Sequence, residues 1–310
     1  MNYRELGRSG VKVSEISFGC WTMGGLNWVN GVANGWAEVD EEEITRGIKA
    51  ALDAGVNHFD NADVYGNGRA ERMLARVLKK LGVKSESVVI ATKVGWFPGT
   101  AGHAYEPGHI RQQCEQSLIN LGREYVDVYY FHHGDFGKEW EYLEPAAEVM
   151  DRLVKEGKVR VKGQSAYSAG DFERAAPVVR PASRVQKLME EWEMTFVAFS
   201  PLAQGRLLDK FDAARPPVFE AGDHRLGKEA FSSEAIAKLA PKLEKLKGRF
   251  GGTVEDLAGV ALNYVLAMPR VACVIPGFRN ERQARCNLAR VGRGMSEEEV
   301  EFVRGVLGGE

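Results

Sequence analysis

The chain has 310 residues, enough to bury a large core either as one α/β barrel or as two smaller domains. Its 41 Lys and Arg balance 43 Asp and Glu to a formal net charge of −2, which argues against a general polyanion binder or a membrane-surface protein, so nucleic acid is not an expected partner. Four dispersed cysteines, Cys20, Cys114, Cys273 and Cys286, offer no CxxC pair, so no zinc site or redox centre is expected and the thiols read as reduced and structural.

The first residues, Met1-Asn2-Tyr3-Arg4-Glu5-Leu6, lack an apolar signal core, and no later stretch stays apolar for the about 20 residues of a membrane span. A cytoplasmic protein without a membrane partner is expected. Residues 3–6 and 12–14, joined by Gly7-Arg8-Ser9-Gly10, predict a β-hairpin. A helix follows, capped by Asp40 with Glu43 three residues on, carrying Ile44, Ile48, Ala51 and Leu52 on one face and stopping at Gly55. The segment 56–62 then reads as a strand. Next come a helix over 71–81 with Met73, Leu74, Val77 and Leu78 inward, Gly82, and a strand over 88–94. The same grammar recurs with Ile110, Cys114, Leu118, Leu121, Gly122 and a strand over 126–132, then with Val149, Met150, Leu153, Val154, Gly157 and a strand over 159–165.

Strand centres at Phe59, Ala91, Tyr129 and Val161 are spaced by 32, 38 and 32 positions, room for one strand, one crossover helix and two loops. Repeated right-handed βα units build a barrel or an open doubly wound sheet. The open dinucleotide-binding sheet needs G-x-G-x-x-G after its first strand, and Phe18-Gly19-Cys20-Trp21-Thr22-Met23-Gly24 does not supply it. A barrel with the N-terminal hairpin covering its base is therefore predicted, as a single domain over 1–310.

Three strand ends carry residues that make chemical sense together. Asp60 and Tyr65 lie in Phe59-Asp60-Asn61-Ala62-Asp63-Val64-Tyr65-Gly66, Lys93 closes Ile90-Ala91-Thr92-Lys93, and His132 follows Phe131. A tyrosine, with a reference pKa of about 10, is a poor acid at neutral pH until a nearby ammonium stabilises its phenolate. Lys93 can supply that ammonium, Asp60 can hold it charged, and His132 can orient a carbonyl oxygen. His133, one position on, points to the other side and is the weaker candidate. Singly, each residue has a structural explanation: buried Asp–Lys pairs close hydrogen-bond networks, tyrosines pack loops, and core histidines are often satisfied. Together at the carboxyl ends of neighbouring strands, where barrel enzymes place their chemistry, they point to carbonyl reduction. They offer no covalent route and no metal cage, so a cofactor must supply the hydride.

With these residues in place, the chain resembles the aldo-keto reductase family. The matches are Tyr3-Arg4-x-Leu6-Gly7-x-Ser9-Gly10, Phe59-Asp60-x-Ala62-x-x-Tyr65-Gly66, Thr92-Lys93, Ile110-Arg111 through Ser117-Leu118-x-x-Leu121, and Asp127-Val128-Tyr129-Tyr130-Phe131-His132. They continue in Gly157-Lys158-Val159-Arg160, Ser200-Pro201-Leu202-Ala203-Gln204-Gly205 and Ile275-Pro276-Gly277, covering the chain nearly end to end. The resemblance implies an α/β fold of the (β/α)8 TIM-barrel type that binds NADPH across its mouth. It implies Tyr65 as proton donor, Lys93 and Asp60 as its tuning pair, and His132 as the carbonyl-orienting group. For the cofactor it implies Phe199 stacked on nicotinamide, with Trp21, Asp60 and Ser165 nearby. Ser200, Pro201, Leu202, Ala203 and Gly205 would follow the pyrophosphate, and Gly277 would open a segment in which Arg279 meets the 2′-phosphate while Gln283 and Asn287 face the adenine. An Arg in that place favours NADPH over NADH.

Two departures stand out. Family members commonly have Ser-Asn after the fifth strand to hold the nicotinamide carboxamide, and here the pair is Ser165-Ala166. From Val161 to Val197 is 36 positions, one repeat where the family has two. Either Val178-Val179-Arg180-Pro181-Ala182-Ser183 is a shortened, degraded sixth strand, or a segment is missing between Arg180 and Arg184. The cost of an open edge in a buried parallel sheet favours the second.

Trp21, Trp28, Trp36, Trp96 and Phe97 fall in or beside mouth loops and would suit a hydrophobic or sugar-ring substrate, core packing being the equal alternative. The irregular segment 208–227 could fold over cofactor or substrate, with His224 bonded to solvent or loop rather than to a metal. Charged stretches at 238–249 and 296–301 read as solvated helix faces. The expected activity is NADPH-dependent reduction of an aldehyde or ketone, or its reverse on an alcohol or sugar. A non-catalytic NADPH-binding regulatory subunit is the chief alternative. An isomerase or aldolase barrel using Lys93 as a Schiff base would leave Asp60 and Tyr65 unexplained. Neither the identity of the small-molecule carbonyl or alcohol nor the oligomeric state follows from the sequence.

Overall fold

The structure, a computed structural model, describes residues 1–96, 98–166, 170, 171, 175 and 194–308. Strands β1 (Tyr3–Glu5) and β2 (Lys12–Ser14) form the expected antiparallel hairpin, with Tyr3 opposite Ser14. Next come β3 (Phe18–Gly19), a small antiparallel pair, β4 (Trp28–Val29) and β5 (Val32–Ala33), and helix α1 (Glu41–Asp53). The Asp40 carboxylate accepts from the amides of Glu42 and Glu43, satisfying two donors that a helix start leaves over. Glu43 does not close a reciprocal capping box, because its carboxylate pairs with Arg46.

From there strand and helix alternate: β6 (His58–Asp60), α2 (Arg69–Lys80), β7 (Val89–Val94), α3 (Pro107–Leu121), β8 (Val126–Phe131), α4 (Leu143–Lys155) and β9 (Val159–Gln164). The four strands lie within the stretches predicted for them and α2 within two residues of its own, whereas α3 and α4 begin three and six residues before the first of their expected face residues, Ile110 and Val149. Helix α3 ends on Gly122 in the left-handed region (φ 62°), a turn that favours glycine. After 194 come β10 (Phe196–Phe199), α5 (Ser233–Phe250), α6 (Val254–Leu266), β11 (Val271–Ile275), α7 (Glu281–Leu288) and α8 (Glu297–Leu307). The charged stretches at 238–249 and 296–301 fall in α5 and at the start of α8, where Ser296 and Glu299 form a capping box.

The sheet is parallel in the order β3-β6-β7-β8-β9, and β10 pairs parallel with β11. Bridges from Ile16 to Val274 and from Gly19 to Gly277 join β11 to β3. Seven strands thus form one continuous wall from β10 round to β9, the architecture of a (β/α)8 barrel. Among the described residues no ladder joins β9 to β10. The stretch 178–183 and the 180–184 interval lie outside the described residues. Helices cover the outer face, burying Phe59, Ile90, Tyr129 and Phe131 in the main core.

The hairpin closes the barrel floor. Leu6, Val11 and Val13 pack with Ala91, Val128, Ala272 and Cys273 in one buried cluster, each large side chain contributing about 1.5–3 kcal/mol by leaving water. The Arg4 guanidinium donates to the carbonyls of Leu266 (3.1 Å) and Val271 (2.6 Å), tying the hairpin to α6 and β11. With the floor sealed, the carboxyl ends of the strands form the open end.

Candidate active site

The alternation of a strand sorts the site residues. In β7, Ala91 and Lys93 face the barrel interior, whereas Thr92 faces the helices and donates to Glu71 Oε1 at 2.6 Å. Asp60 ends β6 and is paired in register with Ala91. His132 follows β8, its amide donating to Val94 O at 2.9 Å. Tyr65 comes from the loop after β6, and that loop is set by a close backbone approach: a Cβ on Gly24 would fall 2.7 Å from Gly66 N and 2.9 Å from Tyr65 C.

These four side chains meet. Lys93 Nζ donates to Asp60 Oδ1 at 2.6 Å, to the Asn61 carbonyl at 2.7 Å and to the Tyr65 hydroxyl at 3.3 Å. The His132 ring stands edge-on to Tyr65, centroids 5.7 Å apart, and Trp21 stacks on Tyr65 at 5.8 Å. All four are buried. Burial pushes the Asp60 carboxyl up from its usual value while the Lys93 charge and hydrogen bond pull it back. Burial, then the Lys93 and His133 charges, hold the His132 imidazole well below its usual value, so at neutral pH it is uncharged. A tyrosine hydroxyl that accepts from a buried ammonium, beside a neutral imidazole, is an arrangement able to give a proton to an oxygen and keep the resulting phenolate.

The site lies in a cleft of about 690 Å³. Trp21, Ser165, Phe199, Ser200, Pro201, Leu202, Gly205, Gly277, Arg279, Gln283 and Asn287 all line it with the four residues above. Ala203 does not; its neighbour Gln204 takes that place on the wall. The reason is the loop's path, in which Ser200 (φ 54°), Ala203 (φ 46°) and Gln204 (φ 59°) adopt left-handed backbone. Within the turn the Ala203 amide donates to Ser200 O and the Gly205 amide to Leu202 O, each at 2.9 Å. Phe199 is 41 % exposed. At the far end the Gln283 Oε1 accepts from the Arg279 amide (2.8 Å) and Asn287 Nδ2 donates to Gly277 O (3.2 Å), fixing the backbone there.

Among the cations that line the cleft, Lys210 and Arg225 were not singled out from the sequence. Burial, then the Arg225 charge, with Arg279 next, lowers the Lys210 pKa; burial, then Arg225, lowers that of Arg279. Cations that repel one another along one wall suit a polyanionic ligand. Both come from the segment 208–227, of which Leu208, Lys210, His224 and Arg225 line the cleft, so the signal lay in that segment's irregularity rather than in any motif. Of the other aromatics, Trp36 lines the cleft, Trp96 packs against His132 and His133, Trp28 is half exposed, and Phe97 lies outside the described residues. His133 turns away, its Nε2 2.6 Å from Gly95 O. Ala166 is buried beside Ser165. His224 is buried and bonded to the loop at Gly35. All four cysteines are free and buried. Among the described residues there is no cluster of metal-ligating side chains, and no helix is long and apolar enough to cross a membrane.

Comparison with known proteins agrees with this architecture. A probable voltage-gated potassium channel subunit beta of Arabidopsis thaliana is 29% identical over 317 residues, covering 94% of this chain and 91% of that protein. The aldo-keto reductase str7 of Strobilurus tenacellus is 32% identical over 321 residues, covering 97% and 90%. The structure of glycerol dehydrogenase AKR11B4 from Gluconobacter oxydans superposes with a TM-score of 0.78 over 99% of this chain and 95% of that one, at 24% identity, a likeness of fold. The family model for the aldo/keto reductase family matches residues 15–307, and the chain belongs to that family.

Proposed function

We propose that the protein is a cytoplasmic, NADPH-dependent reductase of aldehydes or ketones, or works in reverse on alcohols or sugars. The observation that carries the proposal is the Lys93 ammonium, hydrogen-bonded at once to the Asp60 carboxylate and the Tyr65 hydroxyl on the floor of the cleft. Tyr65 gives its proton to the carbonyl oxygen, and the Lys93 ammonium stabilises the phenolate left behind. Asp60 keeps that ammonium charged in a buried site, and neutral His132 orients the oxygen. In the alcohol-oxidising direction the phenolate takes the proton back.

The cleft suits NADPH: it offers an exposed aromatic side chain at Phe199, a left-handed turn at 200–205 and a cationic wall that includes Arg279. Phe199, Trp21 and Ser165 would hold the nicotinamide end, the 200–205 loop the pyrophosphate, Arg279 with Lys210 the 2′-phosphate, and Gln283 and Asn287 the adenine end. When bound, NADPH supplies the hydride that reduces the carbonyl carbon. Ser165 stands without the usual Asn partner, because Ala166 has no hydrogen-bonding side chain.

A second reading, a non-catalytic NADPH-binding regulatory subunit, is supported by the relative named as a potassium channel subunit. NADPH oxidation measured with aromatic aldehydes, dicarbonyls and aldoses, and repeated with NADH, separates the two. Turnover with NADPH favoured is expected; tight NADPH binding with no carbonyl turned over would put the regulatory reading in its place.

A further inference from the structure

Beyond Tyr65 the cleft continues as a column of rings. Trp21 stacks on Tyr65, His224 lies 4.3 Å from Trp21, and Trp36 lies 4.6 Å from His224, all centroid to centroid. His224 and Trp36 both line the cleft, and His224 is 6 % exposed. Its Nδ1 sits 3.1 Å from Gly35 O. A carbonyl oxygen can only accept, so Nδ1 carries the proton and Nε2 presents a lone pair. Burial, followed by the Lys228 charge, lowers the imidazole to about 4, which keeps it neutral at physiological pH.

Two polar atoms are left over in this column. His224 Nε2, an acceptor, and Trp36 Nε1, a donor, are buried with no hydrogen-bond partner among the described residues. Trp21, by contrast, spends its indole N–H on Asn34 O at 3.0 Å. Buried polar atoms are nearly always partnered, and a pair left open on adjoining rings in a cleft is a place for a ligand to supply the partners. The loops hold the pair in place: Gly222 O accepts from the Gly35 amide (2.9 Å), the His224 amide donates to Gly35 O (2.8 Å), and the Arg225 guanidinium covers the Trp36 ring at 4.3 Å.

One functional group both donates and accepts through a single atom on a neutral carbon chain, the hydroxyl. We infer that His224 and Trp36 bind a substrate hydroxyl distal to the reacting carbonyl, so that the substrates are polyhydroxylated aldehydes or ketones and their polyols. This rests on the reductase reading for the position of the carbonyl at Tyr65. The pair stands two ring contacts from Tyr65, so it meets a different part of the molecule from the oxygen that Tyr65 protonates.

The test compares D-erythrose with butanal, equal in carbon number and different in hydroxyls. His224→Asn keeps a donor where Nδ1 stood and removes Nε2; Trp36→Phe keeps a ring and removes the N–H. Each is expected to lower the erythrose-to-butanal ratio of kcat/KM about tenfold, and His224→Gln, which restores a polar atom at the place of Nε2, to recover part of it. An unchanged ratio in folded His224→Asn and Trp36→Phe overturns the inference and leaves the reductase reading intact. The reductase reading is tested separately by the wider carbonyl panel, and if the wild type reduces neither aldehyde, calorimetry with erythritol still decides: binding lost in both variants supports the hydroxyl site, and equal binding in all three proteins overturns it.

Discussion

Lys93 and Asp60 form a 2.6 Å ion pair in which the side chains are only 7% and 5% exposed. A buried pair of this kind gives little net stability, but removing one partner strands the other charge in a poor solvent, at about 3–5 kcal/mol. Lys93→Met should therefore lose stability on that scale and lose turnover as well. The double variant Asp60→Asn with Lys93→Met should regain much of the stability and none of the activity. Urea unfolding alongside steady-state kinetics checks both halves.

Gly24 sets the position of Tyr65. A methyl there would lie 2.7 Å from Gly66 N and 2.9 Å from Tyr65 C, and these backbone atoms cannot move aside as a flexible side chain would. Gly24→Ala should cost about 1–3 kcal/mol through overpacking. By shifting the hydroxyl from Lys93 it should also lower kcat about 100-fold, while the NADPH dissociation constant changes less than threefold. Fluorescence titration and single-turnover rates separate the two effects.

Arg279 lies on the cationic wall, its charge opposed by the neighbouring Arg225 and favoured by Asp223. Arg279→Gln should raise KM for NADPH about 10- to 100-fold, the loss of a charge-assisted contact. KM for NADH should hardly move. Coenzyme kinetics with both nucleotides measure the change in preference directly.

His58 is fully buried beside Cys273, Nδ1 3.7 Å from Sγ, and burial lowers its pKa from 6.5 to about 3. The unfolded chain binds a proton there more readily than the folded one, so the neutral ring contributes its stability above about pH 6.5. That contribution is lost as pH falls toward 3. The melting temperature should drop steadily from pH 6.5 to 4, and His58→Gln should flatten the slope. Thermal melts across that range provide the measurement.

Asp60, Tyr65, Lys93 and His132 were readable in the sequence because a barrel puts strand ends on one rim and the two-residue period of a strand decides which side chains turn inward. Asp40 and Gly122 likewise marked helix ends through local chemistry alone. Lys210 and Arg225 were not readable, since they reach the cleft through a long irregular loop whose path depends on contacts such as Gly35 with Gly222. The displacement of Ala203 from the wall has a similar origin: left-handed backbone at Ser200, Ala203 and Gln204 is imposed by the surrounding fold on residues that do not favour it. The open His224 and Trp36 atoms come from ring packing between distant loops, for which a single sequence holds no pattern.

In the proposed reduction Tyr65 gives the proton, and Tyr65→Phe removes that hydroxyl while keeping the ring that stacks on Trp21. NADPH oxidation should fall at least about 1,000-fold, more than a mere weakening of general acid catalysis at the low end of its range, with NADPH affinity retained. Turnover within tenfold of the wild type, measured on the same aldehyde at saturating NADPH, would remove Tyr65 from the role of proton donor.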